Sequence, residues 1–246
     1  MRCLVKLKSL KDQVYSPSYH VHLQGSIYRV LKKTDYDEVH DKKPFKFLTF
    51  SNIFPPKDMK KGDSRNLIIS SPSKPLVKAM AEELKDVESI EPGSNQFRIN
   101  GVSTFEINPD KKGTMITGTP IVTRLDSDKA EEYGIDSGKY DKVYWRKKHP
   151  SKAFTEHLER NLAAKYKRYY RREPPEKPYF TGYKLRKEVS VPLHYSDRDV
   201  TVIGSTWELD YECTNREMFR IIKLAYDTGL GELNTTGFGF MNKVEE

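Results

Sequence analysis

Within nineteen residues the sequence places a tyrosine, a histidine and a lysine: Tyr28, His40 and Lys46. Histidine titrates near neutral pH, a tyrosine hydroxyl can position or exchange a proton, and lysine supplies positive charge. Such a set could run acid–base chemistry without a metal: a base to take a proton from a nucleophile, an acid for the departing group and a cation beside the charge that develops between them. Each residue also has an ordinary explanation. A tyrosine on a helix flank packs well, a histidine among Asp37, Glu38 and Asp41 suits a solvated loop, and a strand lysine guards a sheet edge. His20 and His22 have His-x-His spacing, but no carboxylate or cysteine cluster accompanies them, so no metal is expected. They are the next candidates should His40 not serve. Nothing near His149, His157 or His194 singles those residues out.

The elements that must position these groups follow from hydrophobic periodicity. Cys3, Val5 and Leu7 alternate with Arg2, Lys6 and Lys8 as a half-buried strand. A helix follows over residues 21 to 33, with Leu23, Ile27, Val30 and Leu31 on one face. Tyr28 falls about 115° from the centre of that face, so it need not be core. Strands are expected over 45 to 50 and 66 to 70, and Lys46, between Phe45 and Phe47, should project from the opposite sheet face. A helix over 75 to 85 carries Leu76, Met80 and Leu84, and 96 to 99 closes the set, extended by 102 to 107 as a hairpin around Asn100 and Gly101. The order is βαββαβ, a ferredoxin-like unit.

The second half repeats the rhythm: a strand over 114 to 124, a helix over 151 to 170 striped by Phe154, Leu158, Leu162, Tyr166 and Tyr169, and a hairpin of 180 to 191 with 200 to 211. A helix over 215 to 227 and a strand over 237 to 243 complete it. The expected fold is α+β, two tandem ferredoxin-like domains spanning 1–110 and 111–246, with the boundary near residues 108 to 111.

Near the end stands Gly229-Leu230-Gly231-Glu232-Leu233-Asn234-Thr235-Thr236-Gly237-Phe238-Gly239-Phe240, two Gly-x-Gly units five residues apart. Glycine permits positive φ and close backbone approach, so the spacing suggests a loop made for backbone contact with a polyanion. Nucleotide loops do not fit. Asn234 stands where a dinucleotide fingerprint needs glycine, and Phe238 where a Walker A loop needs lysine. Gly229 instead sits at a helix C-cap.

A helix, this paired glycine loop and a final strand resemble the glycine-rich loop of the CRISPR-associated RNA-binding superfamily. Within it the chain most resembles the sixth Cas family, endoribonucleases that cut precursor CRISPR RNA inside its repeats. The run from Tyr36 through His40 to Ser51, including Lys46 and an aromatic-rich Thr-x-Ser, is similar to the family's catalytic segment. The resemblance implies that Tyr28, His40 and Lys46 are the catalytic tyrosine, histidine and lysine, and that cleavage leaves a 2′,3′-cyclic phosphate and a 5′-hydroxyl without a cofactor. It also implies CRISPR repeat RNA as the partner, held in part by Gly229, Gly231, Asn234, Thr235, Gly237 and Gly239. One departure stands out: the family usually has a cation among the central five loop residues, and this chain has none. Other Cas proteins of an effector complex, or a second copy in a homodimer, are left open as partners.

Composition agrees with a nucleic-acid partner without naming one. Lys and Arg number 43 against 35 Asp and Glu, for a formal net charge of +8. The tract from Lys165 to Arg172 interleaves five cations with three tyrosines, and Lys167, Arg168, Arg171 and Arg172 could neutralise phosphates while aromatic faces stack on bases. An ordinary solvated helix would look similar. Two distant cysteines exclude a disulfide framework and suggest a reducing cytoplasm, and no apolar run is long enough for a membrane span. Two rival readings remain: a non-catalytic CRISPR RNA-binding subunit, and a basic RNA-binding protein outside CRISPR biology.

Overall fold

A computed structural model of the protein describes residues 1–16, 19–37, 45–195 and 197–244. In the first unit, β1 (Arg2–Ser9) pairs antiparallel with β3 (Ser64–Ser70) and β5 (Phe97–Phe105), while β2 (Thr49–Phe50) and β4 (Ser89–Ile90) form the edges, giving the order β2-β3-β1-β5-β4. The alternation of β1 sends Cys3, Val5 and Leu7 to one face, where α1 (His20–Leu31) and α2 (Lys74–Lys85) bury Leu23, Ile27, Val77 and Met80 against them. Ser73 caps α2 through its hydroxyl to the Leu76 amide.

The second unit has the same topology. Its sheet order is β11 (Met241–Lys243), β6 (Lys112–Thr117), β10 (Asp199–Glu212), β9 (Gly182–His194), all antiparallel. Helices α4 (Ser151–Tyr170) and α5 (Arg216–Thr228) pack against it, and Phe154 stacks on Trp207 with ring centroids 4.2 Å apart. Counting β5 as the fourth main strand of the first unit, both sheets read 4-1-3-2, the ferredoxin-like order. The two units meet closely: Arg2 of β1 donates to the carbonyls of Tyr226 and Met241 and stacks on Phe240 at 4.5 Å.

Several expectations are corrected. Residues 45 to 48 are not a strand; only Thr49 and Phe50 pair with β3, and Phe47 takes φ of +49° while its ring packs edge-on against Tyr169 of α4. The aromatic run serves packing between units rather than alternation in a sheet. No hairpin forms at Asn100 and Gly101: β5 runs straight through, with a bulge opposite Lys6 and Leu7 where Gly101 adopts φ of +148°. The strand expected over 114 to 124 ends at Thr117, and the chain inserts β7 (Arg124–Asp126), α3 (Ser127–Glu132) and β8 (Lys142–Tyr144), which the periodicity did not reveal. The last strand is only three residues long because 237 to 240 belong to the loop before it. Among the described residues, no helix is long and apolar enough to cross a membrane.

Candidate active site

Tyr28 is buried, at 8% exposure, despite its position off the apolar face of α1. It joins the hydrophobic core of the first unit, and further cover comes from elsewhere in the chain. Lys46 places its ammonium 5.3 Å from the centre of the tyrosine ring, a cation–π contact. Thr235, from the glycine-rich loop of the second unit, and Gln24, one turn back on α1, approach the hydroxyl. Burial raises the Tyr28 pKa above the ordinary phenol value, and these two polar neighbours pull part of the way back. The fold thus brings Tyr28 and Lys46 together. His40 lies outside the described residues.

The glycine-rich loop is folded on itself. Gly229, Gly231, Gly237 and Gly239 all have positive φ, between 68° and 85°. A Cβ at Gly239 would collide with the Leu230 carbonyl, one at Gly231 with the Val122 carbonyl, and one at Gly237 with Phe50 and His20. The spacing therefore reports close approach to protein, with Leu230 and Phe238 fully buried between the glycines and Phe240 fully buried just after them. The loop amides of Leu230, Glu232, Gly237 and Gly239 donate to carbonyls of Gly239, Val122, Asn234 and Pro120. The Asn234 amide nitrogen donates to Leu230 and Phe238, both at 3.0 Å.

The cation missing from the loop sequence arrives from α4. Lys165 is 2% exposed, and its ammonium donates to the carbonyls of Gly229 at 2.9 Å and Gly231 at 3.0 Å and to Asn234 Oδ1 at 2.6 Å. Burial pushes its pKa down to about 7, with Glu232 pulling the other way. Glu232, at the loop's centre, meets Arg124 through Nε at 2.9 Å and through the backbone amide at 3.0 Å, and His157 at 3.6 Å. Burial disfavours its charge, but His157 and Arg124 outweigh that and bring the carboxyl down to about 2. These residues, with Lys46 and Thr235, line a cavity of about 540 Å³ between the units. Of the residues here that the sequence did not single out, namely Lys165, Arg124, His157 and Glu232, only Lys165 had a signal: it lies seven residues beyond Leu158 on the apolar stripe, two helical turns along the same face.

The rest of the basic tract faces outward. Lys167, Arg168, Arg171 and Arg172 are exposed, and Lys167 pairs with Glu173 at 2.5 Å. His20 is buried on α1, its Nδ1 donating to the Thr236 carbonyl at 2.9 Å, its Nε2 3.0 Å from Asn52 Oδ1, and its ring stacked near Phe238. Burial lowers its pKa, with both hydrogen bonds opposing the shift. It pins the first unit to the loop of the second. His22 is exposed, and among the described residues no three His, Cys, Asp or Glu side chains gather as a metal site would need.

Two ferredoxin-like units sharing a glycine-rich loop, with tyrosine, lysine and threonine converging at their junction, define a two-domain architecture that comparison with known proteins identifies. The family described as "CRISPR associated protein Cas6, C-terminal" matches residues 105–243. The curated CRISPR-associated endoribonuclease Cas6 of Haloferax mediterranei is 32% identical over 100% of this chain and 94% of its own length. A second, CRISPR-associated endoribonuclease Cas6 2 of Methanocaldococcus jannaschii, is 31% identical over 100% of both. Among solved structures, "An RAMP protein binding different RNA substrates" superposes with a TM-score of 0.78 at 21% identity over 100% of both chains, and "CRISPR associated protein Cas6" with 0.74 at 21% over 100% of this chain and 99% of the other. The chain belongs to the Cas6 family.

Proposed function

We propose that this protein cuts precursor CRISPR RNA within its repeats, without a metal ion, by attack of a 2′-hydroxyl on the adjacent phosphorus. The observation that carries the reading is the convergence of Lys46 and Thr235 on Tyr28, in a chain whose full-length relatives carry the name endoribonuclease. Lys46 is the cation for the phosphorane, whose charge exceeds that of the ground state, so its attraction stabilises the transition state selectively. Because burial keeps the Tyr28 phenol protonated at neutral pH, it serves as the donor to the departing 5′-oxygen, and His40 takes the proton from the 2′-hydroxyl. The products are a 2′,3′-cyclic phosphate and a 5′-hydroxyl. Lys167, Arg168, Arg171 and Arg172 contribute phosphate contacts along the outer end of α4, while the glycine-rich loop reaches RNA mainly through its half-buried centre near Thr235.

Repeat RNA incubated in EDTA is expected to be cut, and the same RNA with 2′-deoxy at the scissile nucleotide to remain whole; cutting of the deoxy substrate would refute the nucleophile. The roles divide by leaving group. A 5′-phosphorothiolate linkage leaves without an acid, so it should rescue Tyr28→Phe and not His40→Ala, each of which slows the natural substrate by roughly 10²- to 10⁴-fold. Rescue of His40→Ala alone would reverse the assignment.

A further inference from the structure

Lys165 presents an unusual combination: an almost fully buried ammonium on the apolar stripe of a helix, with its three acceptors all in one loop. Burying an ammonium costs several kcal/mol unless hydrogen bonds replace its water. Here they do. Two acceptors are the carbonyls of the first Gly-x-Gly unit and the third is the Asn234 side chain, whose amide in turn reaches Leu230 and, across the loop, Phe238. The residue after Asn234 is Thr235, which meets the Tyr28 hydroxyl. One cation on α4 therefore connects through Asn234 to a contact on α1.

With every proton of Lys165 directed at the loop, the ammonium is not placed to meet RNA. Its effect must pass through what the loop touches. Leu233 adopts φ of +57° and the next three residues turn in a short 3-10 helix, a conformation that side-chain anchoring has to hold. The position of Thr235 follows from that anchoring, and Tyr28 lies under it together with Lys46.

We propose that Lys165 is a positioning residue for RNA cleavage: by tying the glycine-rich loop to α4 it sets Thr235 so that the Tyr28 hydroxyl is held in register with Lys46. This rests on the reading of Tyr28 as the proton donor. The loop has no cation among its own central residues; one is supplied from a neighbouring helix and spent on geometry rather than on phosphate.

The test is single-turnover cleavage of repeat RNA, alongside RNA affinity and thermal melting, for Lys165→Met, Thr235→Val, Tyr28→Phe and the double variant Thr235→Val with Tyr28→Phe. Lys165→Met and Thr235→Val should each slow cleavage about 10- to 100-fold, the scale of a misplaced catalytic group, with affinity changed by less than about twofold. In the Tyr28→Phe background Thr235→Val should add nothing. Should Lys165→Met fail to fold, Lys165→Gln keeps donors in place and decides in its stead. A lowered melting temperature with an unchanged rate per folded molecule would make the lysine merely structural and overturn the inference, as would equal loss of affinity and rate. Wild-type cleavage by Tyr28→Phe is a separate outcome: it removes the underlying reading of the site.

Discussion

The glycine-rich loop and the basic tract at the end of α4 exchange the roles that their compositions suggest. The loop, with no cation and four glycines, looks like a cradle for phosphate, yet its glycines face protein carbonyls and aromatic rings. The tract, with five cations, looks like a uniform patch for RNA, yet its first lysine is inside the protein organising that loop, and only its later residues reach solvent. Glycine spacing reports that something comes close without saying what. Charge reports affinity for an anion or a carbonyl alike, and the helix face decides which.

The largest effect that could break this comparison is Gly239→Ala. If the loop were an open cradle the methyl group would be tolerated; because Cβ would run into the Leu230 carbonyl at a positive φ, the variant should lose several kcal/mol of stability or not fold, as denaturant unfolding would show. Next comes Glu232→Gln. Glu232 has its pKa depressed in the folded protein, so the stability it contributes is present above the ordinary carboxylate value and lost as pH falls toward about 2. At pH 7 the variant should be destabilised by about 2 to 3 kcal/mol, and the two proteins should converge in melts near pH 2. A constant difference at all pH values would mean the carboxylate acts through packing alone. The smallest effect belongs to the outward tract. Lys167→Ala or Arg172→Ala should change stability by less than about 0.5 kcal/mol and reduce the salt dependence of RNA binding by about one unit of slope each; an unchanged slope would take those residues off the RNA.

What was legible in the sequence depended on how far away the deciding contact lay. Helix α4 runs over the residues its stripe defines, and α5 starts after Asn215, whose side chain caps the Met218 amide at 2.8 Å, because periodicity and capping are local. The repeated ferredoxin order followed from the same local signals. The helical wheel sets Tyr28 off the core face of α1; its burial comes from the core of the first unit together with Lys46 and Thr235, which the wheel does not contain. Lys46 was read as a strand residue from alternation with Phe45 and Phe47, but Phe47 packs on Tyr169, a contact more than a hundred residues downstream in sequence. Arg124, His157 and Glu232 carried no pattern at all, since their meeting depends on the inserted β7 and on the loop's fold. The family resemblance supplied the pairing of Tyr28 with Lys46 that spacing alone left open.

The junction pinned by His20 and Thr236 joins residues 216 positions apart in the chain. Translation delivers its two sides far apart in time: α1 emerges first, and the loop surface that meets it is made more than two hundred residues later. A nascent chain therefore carries an unpinned histidine until Thr236 has been added, and the site is complete only once the glycine-rich loop has been made.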